Sequence, residues 1–410
     1  MKIVAIGAAA LALAVGGLLV GLRIEHATAL TLPPPTGDFA VGRALLDWSD
    51  PATPYSLAPV PGAARELLVW LWYPAAPRES PPQVSPPRDD RHAYLPRTQR
   101  AAAEHVLGPL LGGFLTRDLT KVYTYATWNV PLATRASSYP VAIIRGGASL
   151  AIYNYSSLAT DLASHGYVVV GFDAPYLTSV VAFPDGRVMR RTNANNPELA
   201  IGAPDSARRI TRIMNAWTSD VGFVLDRLAA LDVADSSGRF RGRLDLRHVG
   251  VFGHSLGGAT ALQFCHDDSR CAAGVDIDGA PLGSVIRDGV QQPFMFLLSG
   301  KGDQSSSDAE DREILANIQS IYDREPKATR ARAVIRGANH FTFSDDGALL
   351  KSKVIRALMH RFGVLDLDGP RQLAITEYCV RTFFDAYLKG AAPKAVVLSS
   401  RAYPELLVDP

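Results

Sequence analysis

Ser255 occupies the stretch of this chain whose residue types and spacing most favour covalent chemistry. Positions 253–257 are Gly-His-Ser-Leu-Gly, preceded by a short apolar run typical of a β-strand and followed by a good helix start. Gly-x-Ser-x-Gly between a strand and a helix is typical of a nucleophile elbow, where small residues on both sides of the serine let the strand and the helix approach closely. The alternative is a glycine-rich turn with an incidental serine. The flanking strand and helix favour a nucleophile, and we predict that Ser255 is one.

A nucleophilic serine needs a base and an acid. Its hydroxyl is a weak nucleophile at neutral pH, so a histidine must take the proton and a carboxylate must orient that histidine. His340 lies in a loop of small residues directly after a predicted strand, whereas His360 lies in a run that reads as helix and His266 lies at the far end of the elbow helix. The chain order serine, acid, histidine therefore favours His340 as the base.

Two aspartates compete for the role of the acid. Asp278 and Asp303 each follow a predicted strand, at the end where open parallel sheets place functional groups. Asp276 lies on the same face of its strand as Asp278 but one pleat deeper, which makes it a lesser candidate. The residue pattern by itself leaves Asp278 and Asp303 both open.

A tetrahedral intermediate on Ser255 also needs two hydrogen-bond donors for its oxyanion. The amide of Leu256, directly after the serine, is the first. The second is expected from Gly146-Gly147-Ala148, the loop after the predicted strand Tyr139–Ile144. A phosphate-binding turn is the alternative for the two glycines, but the loop has no Gly-x-Gly-x-x-Gly spacing and no Walker lysine, which disfavours it.

The elements that must position these residues alternate along the chain. Alternating strands and helices predict a mostly parallel sheet with helices on both faces, and two early strands predict an antiparallel N-terminal edge. A serine on the strand-to-helix turn of such a sheet indicates the α/β-hydrolase fold. The predicted strands are Asp38–Asp47, Arg65–Pro74, Tyr139–Ile144, Tyr167–Phe172, His248–Phe252, Ala272–Ile277, Pro293–Leu298 and, as the last convincing one, Ala331–Ile335; the predicted helices include Tyr155–His165 and Ser206–Leu231.

The N-terminus reads as a targeting segment. A basic start at Met1-Lys2, an uncharged run over Ile3–Leu22 and an Ala-Thr-Ala exit predict a signal peptide of residues 1–29 and export to the periplasm or the medium. The alternative is an uncleaved membrane anchor with the rest of the chain outside the cytoplasm. Residues 30–410 are predicted to form a single domain, with a candidate cap or rim insertion around residues 75–135.

Composition narrows the class of partner and cofactor. The apolar fraction of 47% and the net charge of +2 are those of a globular protein without a preference for nucleic acid. Cys265 and Cys271 are spaced to pair in an oxidising compartment, with three buried free thiols, Cys379 among them, as the alternative. No spacing typical of metal ligands is present, so we expect neither a metal nor a cofactor.

With these residues in place, the chain resembles the type II family of platelet-activating factor acetylhydrolases, close to its bacterial members, over roughly Pro35–Gly390. In that family the acid follows the strand after the elbow helix. The resemblance therefore implies Asp278 as the acid, and the amides of Leu256 and Ala148 as the oxyanion donors. In related polyester hydrolases and lipases the acid follows the next strand, which would favour Asp303. The shared stretches are Leu71–Pro74, Asp161–Val169, Phe252–Thr260, Asp276–Gly279 and Ile335–His340.

The resemblance implies a serine carboxylic-ester hydrolase that acts through an acyl-serine on short acyl esters, such as the acetyl group of phospholipids like platelet-activating factor. The implied partner is a small-molecule ester or lipid, with contact to a membrane surface through the lipid or the N-terminal segment. The alternatives are a polyester or triglyceride hydrolase and a non-catalytic cell-surface binding protein. One departure stands out: the family often has Ser-His-Gly where this chain has Arg145-Gly146-Gly147, a difference that bears on substrate preference.

Overall fold

The computed structural model describes residues 2–76, 88–110, 117–148, 150–200, 203–300, 309–350, 353–363, 366–390, 398 and 401–408, without the side chains of residues 2–11, 104–110, 353–355 and 358. Asp303 lies outside the described residues, so the structure carries no information on that candidate acid.

Strands and helices alternate through most of the described chain, as the sequence predicts. The strands are β1 (Leu30–Thr31), β2 (Ala40–Pro54), β3 (Ala64–Ala75), β4 (Val122–Tyr123), β5 (Ala126–Trp128), β6 (Tyr139–Arg145), β7 (Val168–Asp173), β8 (Val180–Ala182), β9 (Val188–Arg190), β10 (Leu244–His254), β11 (Cys271–Ile277), β12 (Phe294–Ser299), β13 (Arg330–Ile335) and β14 (Leu406–Val408). The helices are α1 (Lys2–Ala27), α2 (Arg97–Leu110), α3 (Ser156–Ser164), α4 (Pro197–Ala200), α5 (Ser206–Ala234), α6 (Leu256–Asp267), α7 (Val285–Asp288), α8 (Ala309–Arg324), α9 (Asp346–Leu349), α10 (Lys353–Arg361) and α11 (Gly369–Leu388).

Among the described residues, ten strands form the central sheet in the order β14-β13-β12-β11-β10-β6-β7-β3-β2-β5. Neighbours from β13 to β7 are parallel, and β3 pairs antiparallel with both β7 and β2. The predicted fold class, a mostly parallel sheet with an antiparallel N-terminal side, is confirmed. Strand β14, which the sequence does not predict, adds an antiparallel edge beyond β13. With three residues, β14 is too short to show a periodic pattern in the sequence.

Helices cover both faces of the sheet. On β6, Val141 and Ile143 belong to the core cluster that contains α5 and α6, whereas Ala142 and Ile144 belong to the cluster that contains α3 and α11. Successive side chains of a strand point to opposite faces, so a central strand that is buried on both sides must be apolar throughout. This explains the unbroken apolar runs from which the strands were predicted.

The central register brings the ends of several strands to one edge. His254 pairs with Ile277, and Ile277 pairs with Leu297, in strands that all run in the same direction. Residues that follow β10, β11 and β13 therefore leave the sheet on the same side, which is the carboxyl edge where open parallel sheets bind ligands. Ser255, Asp278 and His340 all come from this edge.

Part of the region predicted as a cap or rim, residues 75–135, packs on the domain. Helix α2 lies against β8, where Gln99 Nε2 donates to the carbonyl of Ala182 at 2.8 Å. Tyr94, which precedes α2, donates from its hydroxyl to Asp345 Oδ2 at 3.1 Å. This segment thus touches the chain that follows His340, and its role as a cap stays a prediction.

The N-terminal segment forms α1, and Arg117 Nε and Nη1 bind the carbonyls of Leu349 and Glu25, which ties its end to the domain. In the part of the chain whose side chains the structure describes, which excludes residues 2–11, no helix is long and apolar enough to cross a membrane. The signal peptide and the membrane anchor both stay predictions.

Two of the three cysteines pair, as the sequence predicts. A disulfide joins Cys265, near the end of α6, to Cys271, the first residue of β11. Cys379 is a free thiol buried in α11. The alternative of three free thiols is therefore wrong for this structure.

Candidate active site

Ser255 lies between β10 and α6 with a backbone that few non-glycine residues adopt. Its φ is 56° and its ψ is −126°, and it is the N-cap of α6. Its amide donates to the carbonyl of Ile277 at 2.9 Å, and its carbonyl accepts from the amides of Gly258 and Ala259 at 2.9 and 3.1 Å. These bonds hold a conformation that costs on the order of 1–3 kcal/mol by itself.

The glycines of the elbow are required by close backbone contacts. A Cβ on Gly253 would collide with the backbone of Gly257, and a Cβ on Gly257 would collide with the carbonyl of Arg145. The strand, the helix and the end of β6 thus meet without room for a side chain. This is the steric reason for the Gly-x-Ser-x-Gly spacing.

His340 is brought to Asp278, which follows the neighbouring strand. His340 Nδ1 lies 2.8 Å from Asp278 Oδ2, and the two side chains are 39% and 12% exposed. Asp278 has a φ of 56°, and its Oδ1 accepts from the amide of Ser299 at 2.7 Å. Burial by itself would raise the pKa of Asp278, but the hydrogen bond and charge of His340 and the Ser299 amide lower it below its usual range. An ionised Asp278 only accepts hydrogen bonds, so His340 carries its proton on Nδ1 and leaves Nε2 as an acceptor.

The base candidate lies beside the elbow. The ring centroid of His340 is 4.6 Å from that of His254, the residue before Ser255. His340, which is bonded to Asp278, therefore lies next to the residue that precedes Ser255. Such an arrangement is suited to acyl transfer, in which the histidine takes a proton from the serine hydroxyl.

The loop that carries His340 is clamped by α11. Gln372 is fully buried, its Oε1 accepts from the amide of Asn339 at 3.0 Å, and its Nε2 donates to the carbonyl of Asn339 at 2.9 Å. The same Oε1 accepts from the Thr342 hydroxyl at 2.5 Å. Gln372 thus holds the backbone before His340 and the side chain of Thr342 after it.

A second anchor follows the histidine. The buried carboxyl of Asp345 accepts from the amides of Ser156 and Ser157, each at 3.0 Å, at the start of α3. The amide of Asp345 donates back to the carbonyl of Asn154 at 2.6 Å. Burial raises the pKa of Asp345 to about 7. These bonds tie the histidine loop to the segment that follows the loop of Gly146 and Gly147.

That loop is the expected source of an oxyanion donor. The amide of Gly147 donates to the hydroxyl of Tyr155 at 2.9 Å. Among the described residues, the amides of Ala148 and Leu256 have no hydrogen-bond acceptor. Both amides therefore remain available to a ligand.

Arg145, where the chain departs from the related family, points away from this site. Its guanidinium is buried, donates to the carbonyl of Phe172 at 2.7 Å, and lies 4.2 and 4.3 Å from the ring centroids of Phe172 and Trp217. Its side chain supports the core beneath the loop. The departure therefore changes the packing beneath the loop and adds no side chain to the site.

Asp276 occupies the space between the elbow and the acid loop. It is fully buried, and its Oδ1 accepts from the amide of Gly279 at 2.8 Å. A Cβ on Gly258 would collide with the same oxygen, which explains why the Gly-x-Ser-x-Gly motif is followed directly by another glycine. Asp276 thus supports the turn at Asp278 and contacts neither histidine.

The other candidates of the sequence lie elsewhere. His360 is exposed on α10, and His266 Nδ1 donates to the carbonyl of Gly289 at 2.7 Å. Among the described residues, no group of three or more His, Cys, Asp and Glu side chains could hold a metal ion.

Sequence reasoning missed three buried polar residues that bond to the loops of the site: Tyr155, Asp345 and Gln372. Each side chain bonds to residues at least 8 positions away in the sequence, and none belongs to a motif. The one available signal is the type of residue, since Gln372 and Asp345 are polar groups within otherwise apolar or loop segments.

Residues 27–174 and 220–384 match the model of a family described as platelet-activating factor acetylhydrolase, isoform II. The platelet-activating factor acetylhydrolase of Cavia porcellus is 24% identical over 311 residues, which cover 73% of this chain and 67% of that protein. A probable 1-alkyl-2-acetylglycerophosphocholine esterase of Arthroderma benhamiae is 24% identical over 395 residues, covering 92% of this chain and 93% of that protein.

Among solved structures, a ferulic acid esterase from Streptomyces cinnamoneus is similar with a TM-score of 0.73 and 23% identity, over 93% of this chain and 99% of that chain. At this identity the likeness concerns the fold, and it agrees with the α/β-hydrolase architecture described above.

Asp276 generates a prediction about stability and pH. Burial raises the pKa of Asp276 well above its usual range, so the folded protein keeps a proton that the unfolded chain releases near pH 3.9. The contribution of this proton to folding is complete at low pH and is lost as the pH rises above that value. Asp276→Asn keeps a neutral acceptor for Gly279. As the pH increases, the free energy of unfolding of Asp276→Asn should therefore rise relative to that of the unmodified protein. This relative gain should exceed about 1 kcal/mol between about pH 5 and about pH 9.

Urea unfolding across this pH range measures the difference. Asp323→Asn, which removes an exposed carboxylate on α8, is the matched control. If the difference in free energy of unfolding between Asp276→Asn and the unmodified protein stays constant with pH, Asp276 is ionised in the folded protein.

Proposed function

Because the chain belongs to the platelet-activating factor acetylhydrolase isoform II family and is a carboxylic ester hydrolase, we propose that it works through an acyl intermediate on Ser255. The observation that carries the proposal is the Asp278–His340 pair, joined at 2.8 Å and set beside the strained elbow. A carboxylate that orients a histidine next to an elbow serine is the arrangement that activates a hydroxyl for acyl transfer.

In the proposed reaction His340 Nε2 takes the proton of the Ser255 hydroxyl while Oγ bonds to the ester carbonyl carbon. The carbonyl oxygen becomes an oxyanion, held by the amides of Ala148 and Leu256. Collapse of the tetrahedral intermediate breaks the bond to the alcohol oxygen, and His340 returns its proton to that oxygen. Water then attacks the acyl-serine with His340 again as the base, which releases the acid and restores the serine. These steps require no metal or organic cofactor.

The geometry supports Asp278 as the acid. Asp278 is hydrogen-bonded to His340 Nδ1, and its second oxygen is held by the Ser299 amide, so its orientation is set by two bonds. The lowered pKa of Asp278 keeps it ionised at neutral pH, as a stabiliser of the imidazolium must be. Asp303 lies outside the described residues. The proposal therefore rests on what Asp278 does.

We propose short acyl esters as substrates, with the acetyl ester of a phospholipid like platelet-activating factor as the representative. Support comes from the matched family and from the names of the two relatives. The proposed partner is thus a small ester or a lipid presented by a membrane surface. Phe341, which follows His340 and is 69% exposed, supports contact with an apolar chain or surface at the rim of the site.

We also propose that the protein is exported, with residues 1–29 as a cleaved signal peptide. The basic start, the uncharged run and the Ala-Thr-Ala exit support cleavage after Ala29. The disulfide between Cys265 and Cys271 supports an oxidising compartment, where such bonds persist.

The roles of the three residues predict a pattern of rates. On p-nitrophenyl acetate, residues 30–410 with Ser255→Ala should lose at least about 10³-fold in kcat, because no other group takes up the acyl chain. Asp278→Asn should lose about 10²- to 10⁴-fold, because the histidine loses the carboxylate that sets its tautomer. Asp303→Asn, the matched control, should stay within about threefold. A collapse of the rate in Asp303→Asn with Asp278→Asn intact would move the acid to the polyester and lipase arrangement. The absence of Ser255-dependent turnover on any ester would favour a binding protein.

Acyl preference gives a second prediction. A site for short acyl groups should hydrolyse p-nitrophenyl acetate and butyrate at least about tenfold more efficiently, in kcat/KM, than octanoate and longer esters. Measurement below the critical micelle concentration of each ester avoids an effect of aggregation. A rate that rises with chain length would identify a lipase or polyester hydrolase instead.

The export proposal is tested by the mass of the mature protein. Expressed with its full leader in a bacterial host, the protein should be recovered outside the cytoplasm with Leu30 as its first residue. Recovery in the membrane fraction with Met1 retained would favour the anchor. An Ala29→Leu variant should slow processing, because small residues are required at the cleavage site.

A further inference from the structure

We propose that Tyr155 is a positioning residue that acts through a hydrogen bond to His254. It holds the loop of Gly147 and Ala148, and the ring of His340, at fixed positions relative to Ser255. The inference rests on the proposed function of this site. It assigns a role in the reaction to two buried residues that the mechanism above does not use.

The hydroxyl of Tyr155 connects two parts of the site. It accepts from the amide of Gly147 at 2.9 Å and lies 2.8 Å from His254 Nδ1, with both side chains buried. The hydroxyl accepts from the Gly147 amide and can donate its own proton to Nδ1 of a neutral His254. In this arrangement His254 accepts at Nδ1 and carries its own proton on Nε2.

His254 in turn lies under the base. Its ring is 4.6 Å from the ring of His340 and 5.7 Å from that of Phe343, between centroids. Burial, and next the charge of His340, lower the pKa of His254 to about 3. His254 therefore stays neutral when His340 takes up the proton of the serine. A neutral ring supports the imidazolium by packing, whereas a charged ring at this distance would oppose it.

Gly147 is enclosed by the groups that it connects. A Cβ on Gly147 would lie 3.4 Å from His254 Nδ1, 3.4 Å from the Tyr155 hydroxyl and 3.5 Å from Ser255 Cβ. The bond to Tyr155 commits the amide of Gly147, so the next amide, that of Ala148, is the one that can face an oxyanion. Loss of the Tyr155 hydroxyl would free Gly147 and loosen the placement of Ala148.

Tyr155 is itself held from both sides. It ends a 3-10 helix, Ile152–Tyr155, whose first amide donates to Asp173 Oδ1 at 2.8 Å. The amides of Ser156 and Ser157, directly after it, donate to Asp345 of the histidine loop. The hydroxyl therefore sits on a short rigid segment that is bonded to the loop behind His340. A misplacement of about 1 Å at an oxyanion donor is enough to cost a large factor in rate.

A buried tyrosine that only satisfies its hydroxyl would affect folding and leave catalysis unchanged. Tyr155→Phe separates the two roles, with Tyr139→Phe as the matched control. Tyr139 is also buried, lies on β6 at the end far from the site, and donates to the carbonyl of Ala133 at 3.1 Å. Both variants lose one buried hydroxyl, so their thermal stabilities should fall by comparable amounts.

The rates should differ. We expect Tyr155→Phe to lower kcat on p-nitrophenyl acetate at least about tenfold with KM within about twofold, because an oxyanion donor acts mainly in the transition state. Tyr139→Phe should stay within about twofold in both constants. Equal kcat values for Tyr155→Phe and Tyr139→Phe would overturn the inference.

His254 supplies the second arm of the test. Asparagine places an acceptor near the position of Nδ1, whereas leucine of similar size has none. His254→Asn should therefore exceed His254→Leu in kcat by at least about fivefold, and this advantage should vanish when Tyr155→Phe is also present. Effects that simply multiply would show that the two residues act independently and would overturn the inference.

Every rate is taken after subtraction of the rate of Ser255→Ala. If the proposed function fails, the unmodified protein and Ser255→Ala are equal. If the further inference alone fails, activity depends on Ser255 while Tyr155→Phe retains it in full.

Discussion

The backbone contact between the end of β10, the start of α6 and the end of β6 is the constraint on which the site depends. Gly253 and Gly257 leave no room for a Cβ, and the carbonyl of Arg145 fills the space beside them. Ser255, in the middle of this tight turn, has a φ of 56°. The strain is offset by the packing of strand and helix and by the bond of the Ser255 amide to Ile277. The same contact sets the distance between the serine and the loop that carries Ala148.

A second left-handed residue stands beside the first. Asp278 also has a φ of 56° and directly follows the adjacent strand β11, with its amide bonded to the carbonyl of Leu297. Both residues therefore leave the sheet through a sharp turn at the same edge. The turn at Asp278 is held by the buried Asp276, which accepts from Gly279 and packs on Gly258. Nucleophile and acid thus share one support, and a change at Gly258 or Asp276 acts on both.

Polar groups without a chemical role set the position of the histidine. Gln372 clamps the backbone of Asn339, and Asp345 binds the start of α3 just beyond Tyr155. The histidine loop and the loop of Gly147 are therefore bonded to the same short segment. An esterase needs its base and its oxyanion donors at fixed distances from one serine, since misplacement of either raises the barrier. The family to which the chain belongs explains the choice of catalytic groups, and these bonds explain their placement.

The sequence by itself predicted the alternation of strands and helices, the elbow at Ser255, Cys265 and Cys271 as a candidate pair, and His340 over His360 as the base. These features depend on local spacing: apolar runs for buried strands, glycines for a tight turn, and cysteines six residues apart. The tertiary structure decided what local spacing cannot express. It brought Asp278 to His340 and placed Tyr155 between Gly147 and His254, and it added β14 at the edge of the sheet. Each of these contacts joins residues that are distant in sequence or too few to form a pattern, so only the register of the parallel strands brings them together.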